Sequence, residues 1–116
     1  MDTRRVLLVD DDPGTVRMAV SLLRDEPYRL LWATTSEDAL QLARQHRPDA
    51  IVLSWTLPEM TGDELAEILH HDPNAADIPL ILMGLEPWLF DQVHRDRAVQ
   101  VVNKTYMDAE LVPRVR

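Results

Sequence analysis

Short apolar runs alternate with helical stripes along this chain, and no other feature limits its fold as much. Val6-Leu7-Leu8-Val9 is a continuous apolar run that stops at Asp10, the pattern of a strand buried on both faces. From Pro13 onward Val16, Val20 and Leu23 recur at i, i+4 and i+7, which predicts a helix with one apolar stripe. Pro27 ends it. Arg29 to Ala33 reads as the second strand. Thr35 with Asp38 three residues on forms a capping pattern, and a helix is expected to about Gln45. Pro48-Asp49 is a turn, and Ala50 to Leu53 is the third strand. Thr61-Gly62-Asp63-Glu64 is another capping pattern. It opens a helix with Leu65, Ile68 and Leu69 on one face, closed by Asp72-Pro73-Asn74. Pro79 to Met83 is the fourth strand, Glu86-Pro87 opens a short helix through about Val93, and Ala98 to Val102 is the fifth strand. A last helix begins near Asp108.

Strand and helix alternating in this way imply an α/β domain, a doubly wound parallel sheet with helices on both faces. For five strands the expected order is the flavodoxin-like 2-1-3-4-5. That order reverses between strands 1 and 3, and a ligand site is expected at their carboxyl ends. Asp10, Asp11 and Asp12 follow strand 1, and Ser54 ends strand 3. The serine is therefore predicted to face the acidic cluster.

The 116 residues suit one domain. A hydrophobic content of 46% supports a real core and argues against disorder. The net charge of -8 repels phosphate backbones and disfavours direct nucleic-acid binding. The chain has no cysteine, which excludes disulfides and thiolate metal sites. No apolar run approaches a membrane span, and the first residues do not read as a signal peptide. A cytoplasmic location is the expectation.

Clustered carboxylates at a strand end suit a hard cation such as Mg2+. Lys104, after strand 5, could balance that charge or bind a phosphoryl oxygen. Asp12 before Pro13 also fits a helix N-cap, whereas Asp10 and Asp11 lie at the switch point and are assigned to the site.

With LLVDDDP at 7–13, RPDAIVLSWTLPEMTGDEL at 47–65, DIPLILMG at 77–84 and VVNKTY at 101–106, the sequence resembles the receiver domain of two-component response regulators. The resemblance covers nearly the whole chain. It implies a fold in which a histidine kinase donates a phosphoryl group to an aspartate ending strand 3. An acid pair after strand 1 and that aspartate hold Mg2+, while a Thr or Ser ending strand 4 and a Lys after strand 5 bind the phosphoryl group. Carried over by position, Asp10 and Asp11 match the acid pair and Lys104 the lysine. The acceptor position is Ser54, the switch position is Gly84, the usual Pro after the lysine is Thr105, and the aromatic often found three residues before the lysine is Val101.

These departures set the functional expectation. A carboxylate is anionic at neutral pH, whereas a serine hydroxyl needs an adjacent base to attack. Gly84 has no hydroxyl to draw toward a phosphoryl group. The chain is thus expected to be a pseudo-receiver, not an enzyme, acting through protein-protein contact. Its partners would be other proteins or a linked output domain, with a homodimer as one form. No cofactor is required, and Mg2+ is expected to bind weakly at most.

Two rivals stand beside this reading. Asp10-Asp11-Asp12-Pro13-Gly14-Thr15 approaches the DxDxT/V motif of haloacid dehalogenase-type phosphatases, with Asp10 as nucleophile, Asp12 as acid, and Ser54 and Lys104 as phosphate ligands. But Gly14 sits where Thr or Val belongs, and Gly84-Leu85-Glu86 lacks that family's second acid pair. Alternatively the chain still responds to phosphoryl donors, or a serine kinase modifies Ser54; burial at a strand end argues against that access.

His46, His70, His71 and His94 fall near helix ends and read as solvated caps. Met18, Met60, Met83 and Met107 read as core or gap fillers, and Trp55 as packing. Trp88, Leu89 and Phe90 are three large apolar neighbours that cannot all face one core on a helix turning about 100° per residue. They are the expected partner surface. The last helix is short and carries Pro113, so the chain is expected to be cut from a longer regulatory protein.

Overall fold

The computed structural model describes residues 4–23, 28–84 and 100–103. Its elements are β1 Arg4–Val9, α1 Pro13–Leu23, β2 Tyr28–Ala33, α2 Ser36–His46, β3 Ala50–Ser54, α3 Gly62–His70, β4 Leu80–Gly84 and β5 Gln100–Asn103. The strands form one sheet of order β2-β1-β3-β4-β5, all pairs parallel. The expected order is therefore observed. The strand bounds differ from expectation by a residue or two: β3 takes in Ser54, β4 runs Leu80–Gly84, and β5 runs Gln100–Asn103. Ladder pairing, which periodicity does not report, sets these ends.

The period of two along each strand splits the core in two. Leu7, Val9, Ile51, Leu53, Leu80 and Leu82 face α2 and α3, where they meet Ala39, Ala43, Leu65, Ala66 and Leu69. Val6, Leu8, Val52, Ile81 and Met83 face the other way, against Val16 and Ala19 of α1. Helices thus cover both faces. Ala39 and Ala43 lie one helical turn apart and let α2 sit close to the sheet.

Three apolar assignments need correction. Val20 is 45% exposed, although Val16 and Ala19 are buried. At about 100° per residue, Val20 lies about 100° around the helix from Ala19 and falls on the flank. Ile68 is 39% exposed for the same reason, because Leu65, Ala66 and Leu69 define the buried arc of α3. Met18 is exposed, whereas Met83 is buried and Met60 packs at the core margin.

The helix starts follow their caps. The Thr35 hydroxyl accepts from the Asp38 N–H at 3.1 Å. Thr61 accepts from the Glu64 N–H and donates to Glu64 Oε1, both at 3.2 Å. Asp12 caps α1 with its carboxylate, which accepts from the Gly14 N–H at 3.1 Å and the Thr15 hydroxyl at 2.8 Å. Arg47 ends α2 with φ 44, in the left-handed region, and Pro48 prevents the helix from continuing. His71 caps α3 with Nδ1 2.9 Å from the Glu67 carbonyl. His46 is exposed. His70 departs from the solvated reading: its Nε2 is buried and meets no hydrogen-bond partner among the described residues.

Candidate functional site

Register brings the candidate residues together. Val9 pairs with Leu53, so Asp10 and Ser54 are the next residues on adjacent strands, which run about 4.8 Å apart. Ser54 pairs in turn with Met83, which precedes Gly84. Asp10 and Ser54 thus stand at neighbouring strand ends, as expected from the switch point, and Gly84 ends the next strand. Lys104 and the expected contact residues Trp88, Leu89 and Phe90 lie outside the described residues, as do His94 and Met107.

Asp10 is fully buried. Its N–H donates to the Ala33 carbonyl at 3.1 Å, and its Oδ1 accepts from the Asp12 N–H at 2.9 Å. Its carbonyl accepts from Trp32 Nε1–H at 2.8 Å. Asp11 is exposed beside it. The two adjacent acids therefore differ: one is locked into the turn and the other is solvated.

Ser54 is also fully buried. Its hydroxyl donates to the Thr56 carbonyl at 3.1 Å, the local bond expected of a small polar residue at a strand end. The loop that follows is closed tightly. The Trp55 N–H donates to the Met83 carbonyl and the Gly62 N–H to the Trp55 carbonyl, both at 2.7 Å. Thr56 and Thr61 form an antiparallel bridge. Gly62 is required here, because a Cβ would sit 2.4 Å from the Ser54 carbonyl oxygen.

Sequence reasoning missed two contacts. Glu59 Oε1 accepts from both the N–H and the hydroxyl of Ser36 at 3.2 Å, and so holds the β3–α3 loop to the start of α2. A carboxylate there is also favoured by the helix dipole. Trp32, the second contact, ties the edge strand to the acid turn. An indole at the end of a strand was a visible signal, but its partner was not.

For Mg2+ the donor set lacks the third carboxylate that the family resemblance implies. A hard cation at such a site draws on several oxygen ligands. Asp10 and Asp11 supply two carboxylates, and the neighbouring position supplies a neutral hydroxyl directed at Thr56. Among the described residues no three Asp, Glu, His or Cys side chains are gathered to hold a metal. The Asp12 carboxylate, the acid of the phosphatase reading, is engaged as the cap of α1. No helix among the described residues is long and apolar enough to cross a membrane.

Residues 6–116 match the profile of the response regulator receiver domain. The chain is 32% identical over 120 residues to the DNA-binding response regulator MtrA of Mycolicibacterium smegmatis, covering 100% of this chain and 51% of that protein. It thus spans about half the length of the curated relatives of this kind. Among solved structures, a candidate response regulator from Chloroflexus aurantiacus superposes with TM-score 0.88 at 26% identity, covering 98% of this chain and 95% of that one. The receiver domain of a sensor histidine kinase from Pseudomonas aeruginosa, with magnesium coordinated in its active-site cleft, superposes with TM-score 0.85 over 98% and 95% of the two chains. At 22% identity that likeness extends to the fold alone.

Proposed function

The chain belongs to the response regulator receiver domain family, and from that premise we infer that it is a phosphorylation-independent signalling module working through protein-protein contact. Ser54 carries this reading. It stands where the family resemblance places the phosphoryl-accepting carboxylate, and it is buried with its hydroxyl bonded to a carbonyl. A carbonyl oxygen is no general base, so nothing in that bond activates the hydroxyl for attack. Gly84, at the end of β4, supports the same reading because it offers no hydroxyl to follow a phosphoryl group.

No cofactor is needed for such a role. Magnesium is held in the cleft of the Pseudomonas relative; here Asp10 and Asp11 alone give a weak site. Lys104 keeps its proposed place as the remaining cation of the degenerate phosphate site. The partners are other proteins or an output domain linked to this one, and the region of Trp88, Leu89 and Phe90 is the proposed contact, on sequence grounds. The net charge of -8 disfavours direct nucleic-acid contact by this domain. The cytoplasm is its proposed location.

The test is incubation with acetyl phosphate or phosphoramidate and Mg2+, read by intact mass. The expected result is an unchanged mass, with no hydrolysis of a small phosphoester. An added phosphoryl group on this chain would overturn the reading.

A further inference from the structure

Strand β2 bonds to β1 on one side, and among the described residues no strand lies on the other. The Ala33 carbonyl accepts from Asp10 of the β1 side at 3.1 Å. Peptide groups alternate sides along a strand, so those of Arg29, Leu31 and Ala33 turn inward. Those of Tyr28, Leu30 and Trp32 turn outward. The side chains of the outward set share the α1 face, by the period of two. Tyr28 and Leu30 are half-buried against the cluster under α1, and Trp32 is 46% exposed. Natural edges are commonly blunted by Lys, Pro or a bulge. This strand has neither Lys nor Pro, its register with β1 is unbroken, and its one charge, Arg29, lies on the other face.

We propose that β2 pairs antiparallel with β2 of a second copy of this chain, about a two-fold axis at Leu30. The outward peptide groups fix the register. Leu30 opposes its own counterpart, and Tyr28 opposes Trp32 of the second copy on each side of the axis. Two aromatic pairs then flank an aliphatic one, all on one face, as cross-strand pairing favours.

The charges favour the same orientation. The amino end of the β1–β2 edge carries Arg4 and Arg5, with the Asp49 carboxylate accepting from the Arg5 N–H at 2.7 Å. The carboxyl end carries Asp10, Asp11 and Asp12, with Glu37 and Asp38 at the start of α2. Antiparallel pairing sets the acidic end of one copy beside the less acidic, arginine-bearing end of the other. Parallel pairing would set the two acidic ends together.

The chain has no cysteine, so Leu30→Cys carries a single thiol. Hydrogen-bonded pairs across an antiparallel ladder have Cα atoms about 5.5 Å apart, within disulfide reach. Oxidation is expected to give a covalent Leu30→Cys dimer roughly ten-fold faster than Gln41→Cys, a control on the exposed side of α2. Sedimentation of the unmodified chain should show a monomer–dimer equilibrium, and Leu30→Lys, which sets two like charges directly opposite at the axis, should weaken it roughly ten-fold. Circular dichroism checks that each variant is folded. A chain that stays monomeric at millimolar concentration overturns the proposal, as does equal cross-linking of the two cysteine variants. So does coupling of Leu30→Cys to a foreign protein in place of its own copy. A dimer indifferent to Leu30→Lys but lost in Trp88→Ala also overturns it and moves the contact to the proposed partner surface.

Discussion

The indole Nε1–H of Trp32 donates to the carbonyl oxygen of Asp10 at 2.8 Å, so a half-exposed aromatic on an edge strand steadies the turn that carries the acid pair. Trp32→Phe keeps a ring but removes the donor. A single hydrogen bond of this kind contributes about 1 kcal/mol. The expected result is an unfolding free energy lower by that amount, seen as a lower denaturant midpoint, and faster hydrogen exchange at the Asp12 amide, which bonds to Asp10 Oδ1. An unchanged midpoint with unchanged exchange would show that the bond does not hold the turn.

Ser54→Asp restores a carboxylate beside Asp10 and Asp11. Three like charges in one partly buried site repel one another, so the variant should be less stable than the wild type without a cation. Mg2+ offsets that repulsion by binding the folded state alone. Thermal melts with and without Mg2+ should therefore show a clear rise in Tm for Ser54→Asp and little change for the wild type. Trp55 fluorescence, beside the site, should follow the titration. Saturation of the wild type at physiological Mg2+ would show that Asp10 and Asp11 suffice.

Gly62→Ala tests the closure of the loop after β3. The added Cβ would lie 2.4 Å from the Ser54 carbonyl oxygen and 3.0 Å from Leu82 Cδ2. The first neighbour is backbone at the end of a fully buried strand, and it has little room to move. Overpacking of this type costs about 1–3 kcal/mol. Urea unfolding should show a loss in that range or larger. A loss below about 0.5 kcal/mol would mean that α3 shifts freely at its first turn, contrary to the packing described.

Much of this architecture was legible because it rests on local rules. The apolar run at Val6–Val9 and its stop at Asp10 gave the buried strand and the site end. Thr35 and Thr61 announced their helices through caps that the structure contains. The juxtaposition of Asp10 and Ser54 followed from topology alone. What was hidden depends on which elements meet. Glu59 bonds Ser36 across 23 positions of sequence, and Trp32 bonds Asp10 across 22. No periodicity encodes such pairs. Val20 and Ile68 looked like core because a stripe gives a direction but not the width of the buried arc.

The tie between α2 and the end of α3 gives a pH-dependent prediction. Asp72 is buried just after α3; its Oδ1 accepts from the Asn74 N–H at 2.8 Å, and its Oδ2 accepts from Arg44 Nε–H. The Asn74 N–H first, and then the Arg44 guanidinium, hold its pKa below the usual 3.8, against the opposing effect of burial. A carboxyl with a depressed folded-state pKa adds stability that is fully present above its unfolded value and is lost as pH falls through the folded one. Asp72→Asn keeps the shape and removes the charge. The stability gap between wild type and variant should stay constant from neutral pH down to about pH 4, then narrow on further acidification. Guanidinium unfolding at about pH 7 and about pH 3 measures it. A gap that widens toward acid, or that is absent at neutral pH, would mean that the charge on Asp72 does not hold the two helices together.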